Sequence, residues 1–258
     1  MLELTSSPEP VAPVLPRSIA GTTRFVRYAF MPNRLHFCGG DDNRAIFDYA
    51  LAAVREPPLD AMLRKFAGAM PYLTLIARSN GIADPFDDRV VEAYWIGNEL
   101  LDRVAMGDLY GSLRERYSKQ LSPKLMELVA AKAPAGALPH HSFHVFDVWR
   151  NADRLSGDVL GTLDNCRVAW GKVLRVEGGE LVVERAPVAL RAGRLVLEPA
   201  REERVLRQVD GRGFADAAQP GDWVALHWGW VCDVLTDRQR ANLERFTRVH
   251  LALANQTI

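Results

Sequence analysis

Near residue 160 the spacing of apolar side chains changes abruptly, and a chain with two periodicities must build two kinds of structure. Before this point apolar residues recur at helical intervals. Val90, Val91, Tyr94, Trp95, Asn98, Leu101 and Val104 include the i, i+3, i+4 and i+7 relations of a helix packed along one face. Asp87 and Asp88 stand at its start, where carboxylates meet the positive end of the helix dipole. Ser122-Pro123 supplies a cap and a first-turn proline for a helix through Leu125, Leu128 and Val129 that ends before Pro134. Residues 42–54 and 59–78 also read as helical, the second kinked or broken at Pro71.

After residue 164 short β segments take over, at 168–176, 180–184, 188–190, 195–197 and 223–231. Gly178-Gly179, Ala192-Gly193 and Pro220-Gly221-Asp222 are the turns between them. Short strands at such close spacing predict a small closed or half-closed barrel. Thr236 and Gln239 then form a capping-box pair that starts a helix with Leu243, Phe246, Val249 and Leu253 on one face. The fold class expected is therefore α+β. A disordered tail over residues 1–20 precedes a mainly helical domain over 21–155, and a barrel with a C-terminal helix fills 164–258, joined through a linker at 151–164.

Composition removes several function classes. Lys and Arg total 32 and Asp and Glu total 32, so nothing in the net charge draws the chain to nucleic acid or an anionic membrane. Every long apolar stretch is interrupted by charged or amide residues, short of the roughly 20 residues that span a bilayer. The first twenty residues hold Pro8, Pro10, Pro13 and Pro16 and no basic residue before Arg17, which does not match a secretory signal. Cys38, Cys166 and Cys232 are odd in number and widely spaced, with no CxxC. That pattern fits free thiols in the cytoplasm better than a disulfide framework or a structural zinc site.

The second half carries the most specific motifs. Cys166-Arg-Val-Ala-Trp-Gly-Lys-Val173 is followed by Gly221-Asp-Trp-Val-Ala-Leu-His-Trp-Gly-Trp230 and the capped helix. Residues 164–250 thereby resemble the HypC-type chaperones of [NiFe]-hydrogenase maturation, in which a cysteine precedes a Gly-Lys-Val-like first strand and a Gly-Asp-aromatic-Val…His-x-Gly-aromatic string forms a late one. The resemblance implies an OB-like barrel that carries an iron dicyano-carbonyl group on its cysteine and delivers it to the hydrogenase large-subunit precursor. Residue by residue, Cys166 matches the iron-binding cysteine and His227 the histidine of the late strand. Two positions depart from the pattern: Cys166 is internal, and Trp170 stands where a proline usually precedes the glycine.

The chemistry of this pair stands apart from the resemblance. A thiolate is a soft ligand suited to low-spin iron, and a neighbouring imidazole completes a site or holds the thiol deprotonated. Arg167 and Lys172 would lower the thiol pKa if they faced it. The alternative is a small buried hydrophobe at a strand start and a strand histidine with a satisfied ring. Cys232, inside a strand from Gly229 to Leu235, reads as core.

Two clusters stand out in the first half. His36 and Cys38 alternate, so on a strand they share a face, and Gly39-Gly40 turns the chain into a helix whose N-terminal dipole favours a thiolate. The simpler reading is a strand-turn-helix junction with an Asp cap. Leu138-Pro-His-His-Ser-Phe-His-Val-Phe-Asp147 holds three of the six histidines, and His140 or His141 shares a helix face with His144. Two imidazoles with Asp147 make a facial metal set, against the alternative of surface histidines near a helix start. Cys38, His141 and His144 are the metal candidates here. Neither HExxH, GxSxG nor GxGxxG occurs.

The function expected is an accessory chaperone of hydrogenase maturation rather than an enzyme, binding an iron dicyano-carbonyl group, the large-subunit precursor or an iron-donor maturation protein. The alternatives are an enzyme that makes or modifies an iron ligand through Cys38, His141 and His144, and a metal-free docking protein.

Overall fold

The structure, a computed structural model, describes residues 20–119, 121–148 and 158–257. Residues 1–19 of the expected tail and 151–157 of the expected linker lie outside these, and the rest of the linker enters a helix. Helices fill the first part: α1 (Gly21–Arg34), α2 (Asn43–Leu51), α3 (Pro57–Leu63), α4 (Met70–Ser79), α5 (Asp88–Trp95), a 3-10 turn over Glu99–Arg103, α6 (Met106–Tyr117) and α7 (Pro123–Ala130). A short helix, α8 (His141–Phe143), runs into a π-helical turn over His144–Val148, and α9 (Val159–Cys166) follows. The strands are β1 (Ala169–Glu177), β2 (Glu180–Arg185), β3 (Val188–Arg191), β4 (Arg194–Leu197), β5 (Arg201–Leu206), β6 (Trp223–His227) and β7 (Trp230–Leu235), and α10 (Asp237–Ala254) closes the chain. The class is α+β.

Five strands pair in the order β1-β2-β5-β7-β6 and close through β6 onto β1, while β3 and β4 form a separate hairpin. The β5–β7 pairing is parallel, at Leu206 and Trp230, and the others in the ring are antiparallel. Several capping signals act as the sequence suggests. Asp87 accepts from Arg89 N and Ser122 from Leu125 N, and Thr236 with Gln239 makes a reciprocal capping box.

Other expectations change. The apolar stripe from Val90 does not continue to Val104, because α5 stops at Trp95 and Gly97 takes φ +96°. Pro71 does not kink a long helix; it sits in the first turn of α4, where its missing N–H costs nothing. The segment after Arg34 is a turn rather than a strand, with His36 in the left-handed region at φ +61°. Residues 223–231 are not one strand, since Trp228 (φ +55°) and Gly229 (φ +67°) turn the chain between β6 and β7. Cys166 ends α9 instead of starting β1. Strand β5, Arg-Glu-Glu-Arg-Val-Leu, carries no alternating apolar signal; its pairing with β2 from Glu180–Leu206 to Arg185–Arg201 makes it a strand.

The two halves share their main core. One apolar cluster contains Phe25, Phe30, Leu73, Val91 and Trp95 together with Trp230, Cys232, Leu243 and Phe246, so the change of periodicity does not divide the packing. A second, smaller cluster fills the closed sheet with Val173, Leu181, Val183, Val205, Val224 and Val231. At the seam, a Cβ built on Gly97 would lie 2.0 Å from the Phe246 ring of α10, and its positive φ adds strain for any L side chain. We expect Gly97→Ala to destabilise the protein by roughly 2–5 kcal/mol, the sum of backbone strain and overpacking. Gly111→Ala, in the middle of α6 with open space around it, should instead stabilise by about 1 kcal/mol. Chemical denaturation of both variants checks this, and equal effects would contradict the tight seam.

Candidate metal centre

The site grows out of three chain segments that meet where the helical half abuts the closed sheet. His227 is the last residue of β6, and the turn after it is held to α9 by Trp228 N–H donating to Asn165 O at 2.9 Å. That bond sets Cys166 beside His227. The end of α9 is fixed from behind by buried ions: Arg167 donates to Asp164 (3.0 Å) and to Ala186 O (2.5 Å), and Arg185 donates to Asp164 (2.8 Å). His141 comes from α8, whose entry is set by His140 accepting the Ser142 N–H. One ligand atom from each of His141, Cys166 and His227 lies within 4.8 Å of the others.

The hydrogen bonds give each ring a role. His227 Nδ1–H donates to the Tyr28 carbonyl of α1 at 2.6 Å, which leaves the Nε2 lone pair buried and without a hydrogen-bond partner among the described residues. His141 Nε2 lies 2.8 Å from the Cys166 carbonyl, which can only accept, so Nε2 carries the proton and Nδ1 accepts from Tyr94 Oη at 3.1 Å. The His227 arrangement, one nitrogen anchored to a backbone carbonyl and the other open, is how metal-binding histidines are oriented.

All five residues singled out from the sequence line one cavity of about 80 Å³: Cys38, His141, His144, Cys166 and His227. Space of this size takes an ion with a few small ligands. Cys38 and His144 stand outside the close group of three. The Cys38 loop is held by Asn33, which donates to Cys38 O (2.8 Å) and Gly40 O (2.6 Å), and not by a strand. Asp147 does not join the site; it is fully buried and pairs with Lys132 at 3.5 Å. His140 belongs to a buried network, its Nδ1 2.8 Å from Ser142 Oγ, which lies 2.7 Å from His250 Nδ1. Cys232 is core.

The chain belongs to DUF6390, a family of unknown function. The match runs over residues 17–258, so both halves and the cavity between them fall within the one family. No curated protein and no solved structure matches the chain. Among the described residues no helix is long and apolar enough to cross a membrane.

Aromatic walls complete the cavity. Trp95 lies 4.5 Å from the His141 ring and 5.6 Å from that of His227, and Phe37 stacks on Trp228 at 3.9 Å. Phe37 is 52% exposed, so this stack is the outer edge of the site. The pairing of Phe37 with Trp228 has no sequence signal, because it depends on two turns with positive φ.

Burial governs the electrostatics. It pushes the Cys38 thiol up to about 12 and raises that of Cys166 further, with Cys38 adding to the effect and a Trp228 hydrogen bond opposing it. Arg167 does not activate Cys166; its charge is spent on Asp164 and Ala186 O, while Lys172 lies over Trp223. Both thiols are protonated at neutral pH unless a metal displaces the proton. Burial also lowers His227 to about 4 and His140 and His144 to about 3, and lowers His141 and His250 strongly.

These depressed values fix the sign of an acid effect. An unfolded histidine takes up a proton near pH 6.5, whereas the folded ones refuse it until about pH 4 or below. The histidine contribution is fully present above pH 6.5 and is lost as pH falls through that window, at up to about 1.4 kcal/mol per pH unit for each ring. Urea unfolding between pH 7 and pH 4.5 should therefore show a steep loss of stability. A flat profile would contradict the neutral buried rings.

Proposed function

We propose that the chain is an accessory protein of [NiFe]-hydrogenase maturation. It takes an iron dicyano-carbonyl group as cargo on Cys166, with His227 beside it, and exchanges that cargo with the large-subunit precursor or an iron-donor maturation protein. The observation that carries this reading is the nearness of the two residues matched to the HypC pattern, which come from α9 and β6 and bring their ligand atoms within 4.8 Å. The donor set suits the cargo, since a soft thiolate and an imidazole favour low-spin iron. Among the described residues the buried Nε2 of His227 makes no hydrogen bond, so its lone pair is open to a ligand. The strand ring β1-β2-β5-β7-β6 supports the OB-like part of the resemblance, because such a barrel is also built from five strands.

The cavity adds the conditions that an iron group with bound diatomic ligands needs. Its walls are apolar and aromatic, it is close to the surface at Phe37 and Trp228, and its thiol is kept protonated until a metal arrives. The enzymatic alternative draws on Cys38, His141 and His144, which line the same cavity, so turnover and not location separates the two readings.

Infrared spectroscopy of the protein isolated from a host making a [NiFe]-hydrogenase tests the proposal. Cyanide and carbonyl stretches, with iron in stoichiometric amount, are expected for the wild type and should be lost in Cys166→Ser, where a hydroxyl replaces the soft ligand. His227→Ala should weaken them less. Full hydrogenase maturation supported by Cys166→Ser would overturn the reading.

A further inference from the structure

The resemblance covers only residues 164–250, yet the close group of potential ligands contains a residue that it does not account for. His141 belongs to α8 in the helical half and reaches the site across the seam. Its ring lies 5.1 Å from that of His227, centroid to centroid, at 75°. Trp95 packs against both rings, which restricts the two imidazoles to this mutual arrangement.

We propose that His141 is a third metal ligand and Tyr94 its positioning residue, so that a borderline divalent cation or the iron cargo is held by two imidazoles and one thiolate drawn from both halves of the chain. This rests on the reading that Cys166 and His227 hold a metal. Ligands at 2.0–2.3 Å from a shared ion stand roughly 3.3–3.8 Å apart in tetrahedral geometry. The 4.8 Å group therefore closes on an ion by side-chain movements on the order of 1 Å.

The hydrogen bonds of His141 provide the route. Without metal, the ring braces the end of α9 by donating from Nε2 to Cys166 O, while Tyr94 Oη–H donates to Nδ1. When Nε2 turns to an ion, it gives up its proton to solvent and Nδ1 takes one, so the ring stays neutral and changes tautomer. Nδ1–H then donates to Tyr94 Oη. A hydroxyl both donates and accepts, so the same pair of atoms stays bonded in either state. Cys166 loses its thiol proton to solvent as it binds, which makes one proton released per ion. Three protein ligands leave the remaining coordination positions to the cavity, the arrangement of a site that exchanges small ligands.

Cobalt(II) alone, titrated into the full chain, is the probe. The wild type should bind one ion per chain with a thiolate-to-cobalt charge-transfer band, and Cys166→Ser should remove that band. His141→Asn should weaken binding beyond the 10–100-fold that follows loss of an outer partner, and should change the ligand-field spectrum. Tyr94→Phe should weaken binding about 10–100-fold and leave the spectrum unchanged. If His141→Asn does not fold, paramagnetic shifts of the His141 ring protons in the wild type decide the matter. Unshifted ring protons, or His141→Asn binding with unaltered affinity and spectrum, would overturn the inference, as would a wild type that takes up no cobalt. Maturation independent of Cys166 alongside intact His141 ligation would remove the hydrogenase reading and leave this inference standing.

Discussion

Helix α1 is packed between the helical half and the closed sheet, and its burial is the contact through which the rest of the molecule is held in place. Phe25, Val26, Tyr28 and Ala29 are inaccessible to solvent, and the helix touches α2, α5, β6 and β7. Its start lies so close to the loop before α5 that a Cβ on Gly21 would fall 1.9 Å from Phe86 O. Charge is carried into this seam and neutralised there: Arg24 meets Asp88 of α5 at 2.7 Å and Asp233 of β7 at 3.2 Å, and Arg27 meets Asp233 at 2.8 Å. A buried ion pair of this kind adds little net stability. Removing one partner, however, strands a charge at a cost of about 3–5 kcal/mol, which ties the two halves to one relative placement.

The candidate centre depends on that placement. The Tyr28 carbonyl of α1 selects the tautomer of His227, and α5 contributes Tyr94 and Trp95 to hold His141. Neither half holds the three candidate ligands alone, because Cys166 and His227 lie at the sheet while His141 belongs to the helical side. The walls also make the site electrically quiet. Imidazoles and thiols kept neutral by burial present lone pairs and an S–H without net charge.

Much of the local structure is legible from residue order. Start signals at Asp87, Ser122 and Thr236 open the helices they predict, and Gly178-Gly179 and Ala192-Gly193 mark hairpin turns. These start and turn signals act over a few residues, so nearby chemistry settles them. Where the outcome depends on remote partners, residue order misleads: the strand expected at His36 and Cys38 becomes a turn held by Asn33, and a charged segment becomes β5 because β2 offers it hydrogen bonds.

The sequence by itself determined that a helical half precedes a β half, that Cys38, His141, His144, Cys166 and His227 are the candidates for metal chemistry, and that acidic and basic residues balance. Only the tertiary structure decided that these five line one cavity, that three of them converge, and that Asp147 and Arg167 are engaged elsewhere. The physical reason is range. Periodicity and capping report the free energy of short segments, whereas a ligand group is set by the packing of α1 and α5 against the sheet, through contacts between residues as far apart as Tyr28 and His227.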